Sequence, residues 1–209
     1  MSFEKEVRLS RLLLVRHGDI ATDNTERFWG HTDIALNETG ILQAERLAER
    51  LSKEPIDEIY TSDLSRAFQS AEIIASRYHL NITTSEKLRE IHFGDIEGLT
   101  FEEVNRQYPE LSKSWSDDDL HIRFPNGESF IELEERVSGF ISEVNLHNRD
   151  CTILIVSHGG LLRMLICYVL GLNVKHWKQL CLDKASLSIV DTYPETALLS
   201  LLNDVSHLK

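Results

Sequence analysis

Two histidines each follow an apolar run and precede a glycine, in Leu12-Leu13-Leu14-Val15-Arg16-His17-Gly18 and in Ile153-Leu154-Ile155-Val156-Ser157-His158-Gly159. Short continuous apolar runs of this kind predict strands buried on both faces. Taken alone, either dipeptide reads as an imidazole satisfied at the start of a loop. Two of them at matched strand ends point to a shared site, because ligands of open α/β sheets bind beyond the carboxyl ends of the strands. Arg16 precedes the first histidine, and Arg66 opens a helix just after the segment Glu58-Ile59-Tyr60-Thr61-Ser62-Asp63. By itself Arg66 is equally a solvated helix cation. Guanidiniums converging on imidazoles are costly without an anion between them, and the planar guanidinium fork matches phosphate geometry. A third loop brings Glu90, which taken singly is a surface acid.

The elements that position these residues follow from hydrophobic period. Residues 39–51, with Ile41, Ala44, Leu47, Ala48 and Leu51, have a helical period, and so do residues 64–78. Residues 56–62 predict a second short strand, and 82–91 a weaker one running into a loop. A short helix over 101–108 is expected to end at Pro109, with an irregular stretch around Trp115 and Asp117-Asp118-Asp119 after it. A long helix is predicted over 129–146, capped at Ser129 with Glu132 three residues on. The strand over 151–157 leads through His158 into an apolar helix over 161–171, and two strand-like segments, 185–193 and 196–204, close the chain. Strands alternating with helices predict an α/β fold, mostly parallel, with an antiparallel edge near the C-terminus.

Composition narrows the classes of partner. The 209 residues suit one domain with a substantial core. A hydrophobic share of 42%, with 10 Gly and 4 Pro, excludes a collagenous or broadly disordered chain. The net charge of −12, without a basic block, argues against nucleic acid and against an anionic membrane surface. It does not forbid a small anionic substrate, since screening over about 8 Å lets a local cationic pocket prevail. Cys151, Cys167 and Cys181 have no C-x-x-C spacing, and their odd number leaves one unpaired in any disulfide scheme. With no leader-like segment and no run of 18 apolar residues, a cytoplasmic location is the default expectation.

Six segments, in order, resemble the histidine phosphatase superfamily, of phosphoglycerate-mutase-like fold: LLLVRHG, RFWGHTDIALNETGILQAERLAERL, IYTSDLSRAFQSAE, LREIHFGDIEGLTFEEV, FPNGESF and ILIVSHGGLLRMLI. The resemblance covers nearly the whole chain and implies one domain over 1–209. Its fold is a three-layer sandwich: a mostly parallel central sheet with an antiparallel edge strand, helices on both faces, and a cap or insert over about 101–128. It implies His17 as the nucleophile that becomes phosphorylated, Arg16, Arg66 and His158 as the phosphate pocket, and Glu90 as proton donor to the leaving group. Gly18, Asn24, Gly30 and Gly159 are the implied substrate-binding positions. The chemistry is consistent on its own terms. A neutral imidazole is nucleophilic at pH 7, two arginines and a protonated His158 would neutralise the phosphoryl oxygens, and an acid must protonate the departing alkoxide. No cofactor and no metal are expected, since no H-x-H or H-x-x-x-H pair is present to hold one.

Within the resemblance the expected activity is a metal-independent, histidine acid phosphatase-type phosphomonoesterase. Its partner would be a small phosphorylated metabolite, and a homodimer is left open. A cofactor-dependent phosphoglycerate mutase is the first competitor, but such mutases carry an arginine-histidine-tyrosine run after the glutamate, where this chain has Ile91-His92-Phe93. A catalytically silent adaptor of the same fold is the second, opposed by the presence of all five core residues. The segment GHTDIALNETG is similar to α-ribazole-phosphatase-like members and suggests a nucleoside or sugar phosphate. Trp115, His121 and Arg123, with the three aspartates, either select the substrate or belong to a solvated loop with one packed aromatic. Asp19 stands where the family usually has Glu or Gln, and is either an orienter of a pocket arginine or a plain turn acid. Asp23 stands where the family usually has a phosphate-contacting asparagine. Either the loop shifts to bring Asn24 inward, the preferred expectation, or that contact is missing and Asp23 points away.

Overall fold

Leu12 to Val15 run down the centre of a six-stranded sheet and contribute alternately to the cores on its two faces. The computed structural model describes residues 8–23, 25–116, 121–144 and 150–209. Asn24, Asp117, Asp118, Asp119 and His147 lie outside the described residues. The strands are β1 (Ser10–Arg16), β2 (Glu58–Thr61), β3 (Ile82–Thr84), β4 (Cys151–Ser157), β5 (Leu187–Thr192) and β6 (Ala197–Asp204). The helices are α1 (Glu38–Leu51), α2 (Ser65–Ala75), α3 (Phe101–Gln107), α4 (Pro109–Ser116), α5 (Phe130–Val144) and α6 (Gly159–Val169).

Strand order is β3-β2-β4-β1-β5-β6. The first four in that order run parallel, β5 runs against β1, and β6 runs against β5. The antiparallel pairing expected at the C-terminal edge is therefore present. Leu12, Leu14, Ile153 and Ile155 pack with α5 and α6 on one face, while Leu13, Val15, Leu154 and Val156 pack with α1 and α2 on the other. Burial on both faces is why these strands are apolar without alternation. The parallel register sets Arg16 beside Ser157, and the amide of His17 donates to the Ser157 carbonyl at 2.9 Å. His17 and His158 therefore leave the sheet side by side.

Caps bound the helices. Asn37 Oδ1 accepts from the Gly40 amide at 2.8 Å at the start of α1, and Thr100 with Glu103 forms a capping box on α3. Ser129 Oγ accepts from the Glu132 amide at 3.3 Å and Glu132 Oε2 accepts from the Ser129 amide at 2.8 Å, the expected reciprocal cap of α5. One expectation fails: the stretch after Pro109 is not irregular but forms α4, with Pro109 as its first residue. A proline at that position loses no helical hydrogen bond, since its N–H would be unsatisfied anyway. Trp115 on α4 packs against Phe28, Phe124, Phe130 and Trp177, with ring centroids 5.5–5.8 Å apart. Its role here is to anchor α4 to the core, the packed-aromatic alternative. Arg123 pairs with Glu132, and His121 is exposed.

Candidate active site

At the carboxyl ends of β1 and β4 a cavity of about 430 Å³ opens, and Arg16, His17, Arg66 and Glu90 all line it. His158 is stacked edge-on against His17, ring centroids 5.1 Å apart. The exposures are 5% for His17, 0% for His158, 1% for Arg66 and 9% for Glu90, so the ionisable groups are withdrawn from water.

Each side chain is held by identifiable partners. Arg66, second residue of α2, donates Nη2 to the Gly30 carbonyl at 2.6 Å, Nη1 to the Thr32 carbonyl at 2.9 Å, and Nε to His158 Nδ1 at 3.2 Å. Asp33 accepts from the Ser65 amide and hydroxyl, both at 2.7 Å, and so caps α2 across the chain. The Gly30-His31-Thr32-Asp33 segment is thus a socket for Arg66 and its helix. Arg16 donates Nη1 to the Leu182 carbonyl at 2.6 Å, and its guanidinium lies against Gly159, where an added Cβ would be 3.2 Å from Cζ. The Glu90 carboxylate sits on the N-terminus of α6. Oε1 accepts from the Leu161 and Ile91 amides at 2.9 and 3.0 Å, and Oε2 from the Gly160 amide at 3.0 Å.

The two imidazoles differ in tautomer. His17 Nδ1 lies 2.7 Å from the Gly18 carbonyl, which can only accept, so Nδ1 carries the proton and Nε2 keeps a lone pair. His158 Nδ1 receives the Arg66 N–H, so its proton sits on Nε2. Burial, followed by the charges of Arg66 and Arg16, pushes the His17 pKa well below its ordinary 6.5. Burial and Arg66, with His17 and Arg16 behind, do the same to His158. The positive charge expected on His158 is therefore absent from the free protein, and the ring is a neutral donor. Among the described residues, buried His158 Nε2 and Arg16 Nε have no hydrogen-bond partner. Two orphaned buried donors at one sheet edge are what an oxyanion would satisfy.

The sequence model of the histidine phosphatase superfamily (branch 1) matches residues 12–205. The chain belongs to that superfamily. Phosphoserine phosphatase 1 of Hydrogenobacter thermophilus is 34% identical, over 95% of this chain and 94% of that one. A probable phosphoglycerate mutase of Proteus mirabilis is also 34% identical, with the same shares covered. Among solved structures, a putative α-ribazole-5′-P phosphatase from Escherichia coli superposes with a TM-score of 0.86 at 30% identity, over 93% of this chain and 96% of that one. The three-layer fold expected from the sequence is that of these superfamily neighbours.

For a superfamily member, the other implied positions divide. Gly30 and Gly159 serve the arginines as described. At Gly18 an added Cβ would lie 2.5 Å from the Gly40 carbonyl oxygen at the start of α1, a contact the sequence did not indicate, and the Gly18 amide donates to Ser70 Oγ at 3.3 Å. Asp23 is exposed and does not line the cavity, but it pairs at 3.2 Å with Arg27, which does; Asn24 lies outside the described residues. Among the described residues Asp19 pairs with no arginine. It pairs with Lys184 and accepts from Asn37 Nδ2 at 2.9 Å. Lys184, Phe28, Trp29 and Phe93 line the cavity without having been singled out in the sequence, and no described residue of 101–128 lines it. A lysine ahead of the last strand pair carries no sequence signal, because its partner lies 165 positions away. Among the described residues no three His, Cys, Asp or Glu side chains are grouped to hold a metal ion, and no helix is long and apolar enough to cross a membrane.

Proposed function

We propose that this superfamily member is a metal-independent, histidine acid phosphatase-type phosphomonoesterase acting on a small phosphorylated metabolite of the cytoplasm. The observation that carries the reading is the complementary pair of tautomers: a buried nucleophilic lone pair on His17 Nε2 beside the unpartnered donors His158 Nε2–H and Arg16 Nε–H. In the first step His17 Nε2 attacks phosphorus, the ester P–O bond breaks, and the Glu90 carboxylic acid gives its proton to the leaving oxygen. In the second, the Glu90 carboxylate takes a proton from water, whose oxygen attacks phosphorus while the P–N bond breaks. Inorganic phosphate leaves and Glu90 is protonated again. Arg16, Arg66 and His158 stabilise the charge spread over the transferring oxygens.

The phosphatase-named relatives support hydrolysis. The mutase-named relative of equal identity supports the alternative of returning the phosphoryl group to a sugar acid. Against that alternative, the positions after Glu90 hold buried Ile91 and Phe93 in place of the mutase run. Two measurements test the reading. Rapid quench should trap an acid-labile phosphoenzyme that is lost in His17→Ala. Incubation with 3-phosphoglycerate should release inorganic phosphate, and accumulation of 2-phosphoglycerate would favour the mutase.

A further inference from the structure

Glu90 is gripped from two sides. On the cavity side its carboxylate rests on the first turn of α6, and the absent side chain of Gly160 makes room: a Cβ there would lie 2.6 Å from Glu90 Oε1 and 2.7 Å from Ile91 Cδ1. On the far side the main chain is held by Arg136 of α5, which does not line the cavity. Its Nη1 donates to the carbonyls of Lys87 at 2.8 Å and Arg89 at 2.7 Å, and its Nη2 to the carbonyl of Glu90 at 3.1 Å. The remaining N–H groups bind Glu128, Nη2 to Oε1 at 2.6 Å and Nε to Oε2 at 3.2 Å. All five guanidinium donors are thereby engaged, three of them on carbonyls within four residues of chain. Glu128 closes the frame, since its Oε1 also accepts from the His92 amide at 2.9 Å and its own amide donates to the His92 carbonyl at 3.0 Å.

We infer that Arg136 and Glu128 are positioning residues for Glu90. They fix the main chain of residues 87–92 so that the carboxyl group meets the leaving oxygen at one place and angle. The inference rests on the proposed role of Glu90 as proton donor. A planar fork with five donors can span these carbonyls and the carboxylate together. A lysine ammonium, with three donors radiating from one atom, cannot. A proton donor displaced by a fraction of an ångström loses catalysis most where the leaving group most needs the proton. Alkyl phosphates leave as strongly basic alkoxides, whereas p-nitrophenyl phosphate leaves as a weakly basic phenolate.

The experiment compares kcat/KM of the full chain on β-glycerol phosphate and on p-nitrophenyl phosphate. The variants are Arg136→Lys, Glu128→Gln, Glu90→Gln and the double variant Glu90→Gln/Arg136→Lys. Arg136→Lys should lose about tenfold more on the alkyl than on the aryl ester, and should leave the ratio unmoved in the Glu90→Gln background, because both changes act through one group. Equal losses on both esters, no loss on either, or a ratio change that persists without Glu90 would each overturn the inference. If Glu90→Gln itself leaves the ratio at its wild-type value, the proton-donor reading falls and the positioning role falls with it. If Glu90→Gln moves the ratio and Arg136→Lys does not, the positioning role alone fails. Should Arg136→Lys not fold, Glu128→Gln, which keeps the side-chain volume and removes the charge, bears the same expectations.

Discussion

His17 and His158 occupy equivalent places at the ends of neighbouring parallel strands, are both buried, and are both held neutral by that burial and by the charges of Arg66 and Arg16. Their proton distribution is nevertheless opposite, and a single neighbour decides it in each case. A carbonyl beside Nδ1 turns Nε2 of His17 into a lone pair, while a guanidinium beside Nδ1 turns Nε2 of His158 into a donor. Two copies of one local motif thus become the proposed nucleophile and the proposed oxyanion donor, distinguished by hydrogen bonding and not by residue type or burial.

Substitutions at the two positions should separate these roles. His17→Ala removes the attacking atom and should lower kcat/KM on an aryl phosphate by on the order of 10⁴-fold or more. His158→Ala removes one donor and should cost about 10²–10³-fold. His158→Gln should cost less, because its amide oxygen can accept from Arg66 and its NH₂ can donate in place of the ring. Equal losses in His17→Ala and His158→Ala, with phosphoenzyme still formed by His17→Ala, would contradict the assignment. Acidification addresses what the two rings share. With both pKa values below 6.5, kcat/KM should not fall as pH drops through 6.5, and the acid limb belongs lower. Folding stability follows the same shifts: below about pH 6.5 the unfolded chain binds protons that the native rings refuse, so thermal stability should decline as pH falls toward the folded-state values. An acid limb centred at or above 6.5 would show that the rings titrate like exposed imidazoles. The smallest effect is expected outside the pair. Asp23→Asn should change kcat/KM by less than about twofold, since the carboxylate is exposed and does not itself line the cavity. A large rise would place Asp23 at the phosphate.

What could be read from the residue order, and what could not, divides on the range of the interaction. The strand ends carrying His17 and His158, the helix opened by Arg66 and the capping box at Ser129 all depend on nearby residues, and the apolar runs and caps display them. Pro109 misled because the same residue ends one helix and begins the next, and only the packing of Trp115 shows which side matters. The tautomer of His158 depends on Arg66, 92 positions away, and the seating of Lys184 on Asp19, 165 positions away. The crowding of Gly18 by Gly40 is equally invisible in the residue order, since it exists only once α1 has docked.

The place of β1 in the sheet has a consequence for synthesis. Both strands that flank it, β4 and β5, lie beyond residue 150, so the segment bearing Arg16 and His17 leaves the ribosome early and finds neither partner until most of the chain has followed. Until then its hydrophobic residues have no sheet to join, and His17 stands without His158. A nascent chain therefore carries the proposed nucleophile well before His158 and β5 are available to complete the proposed site around it.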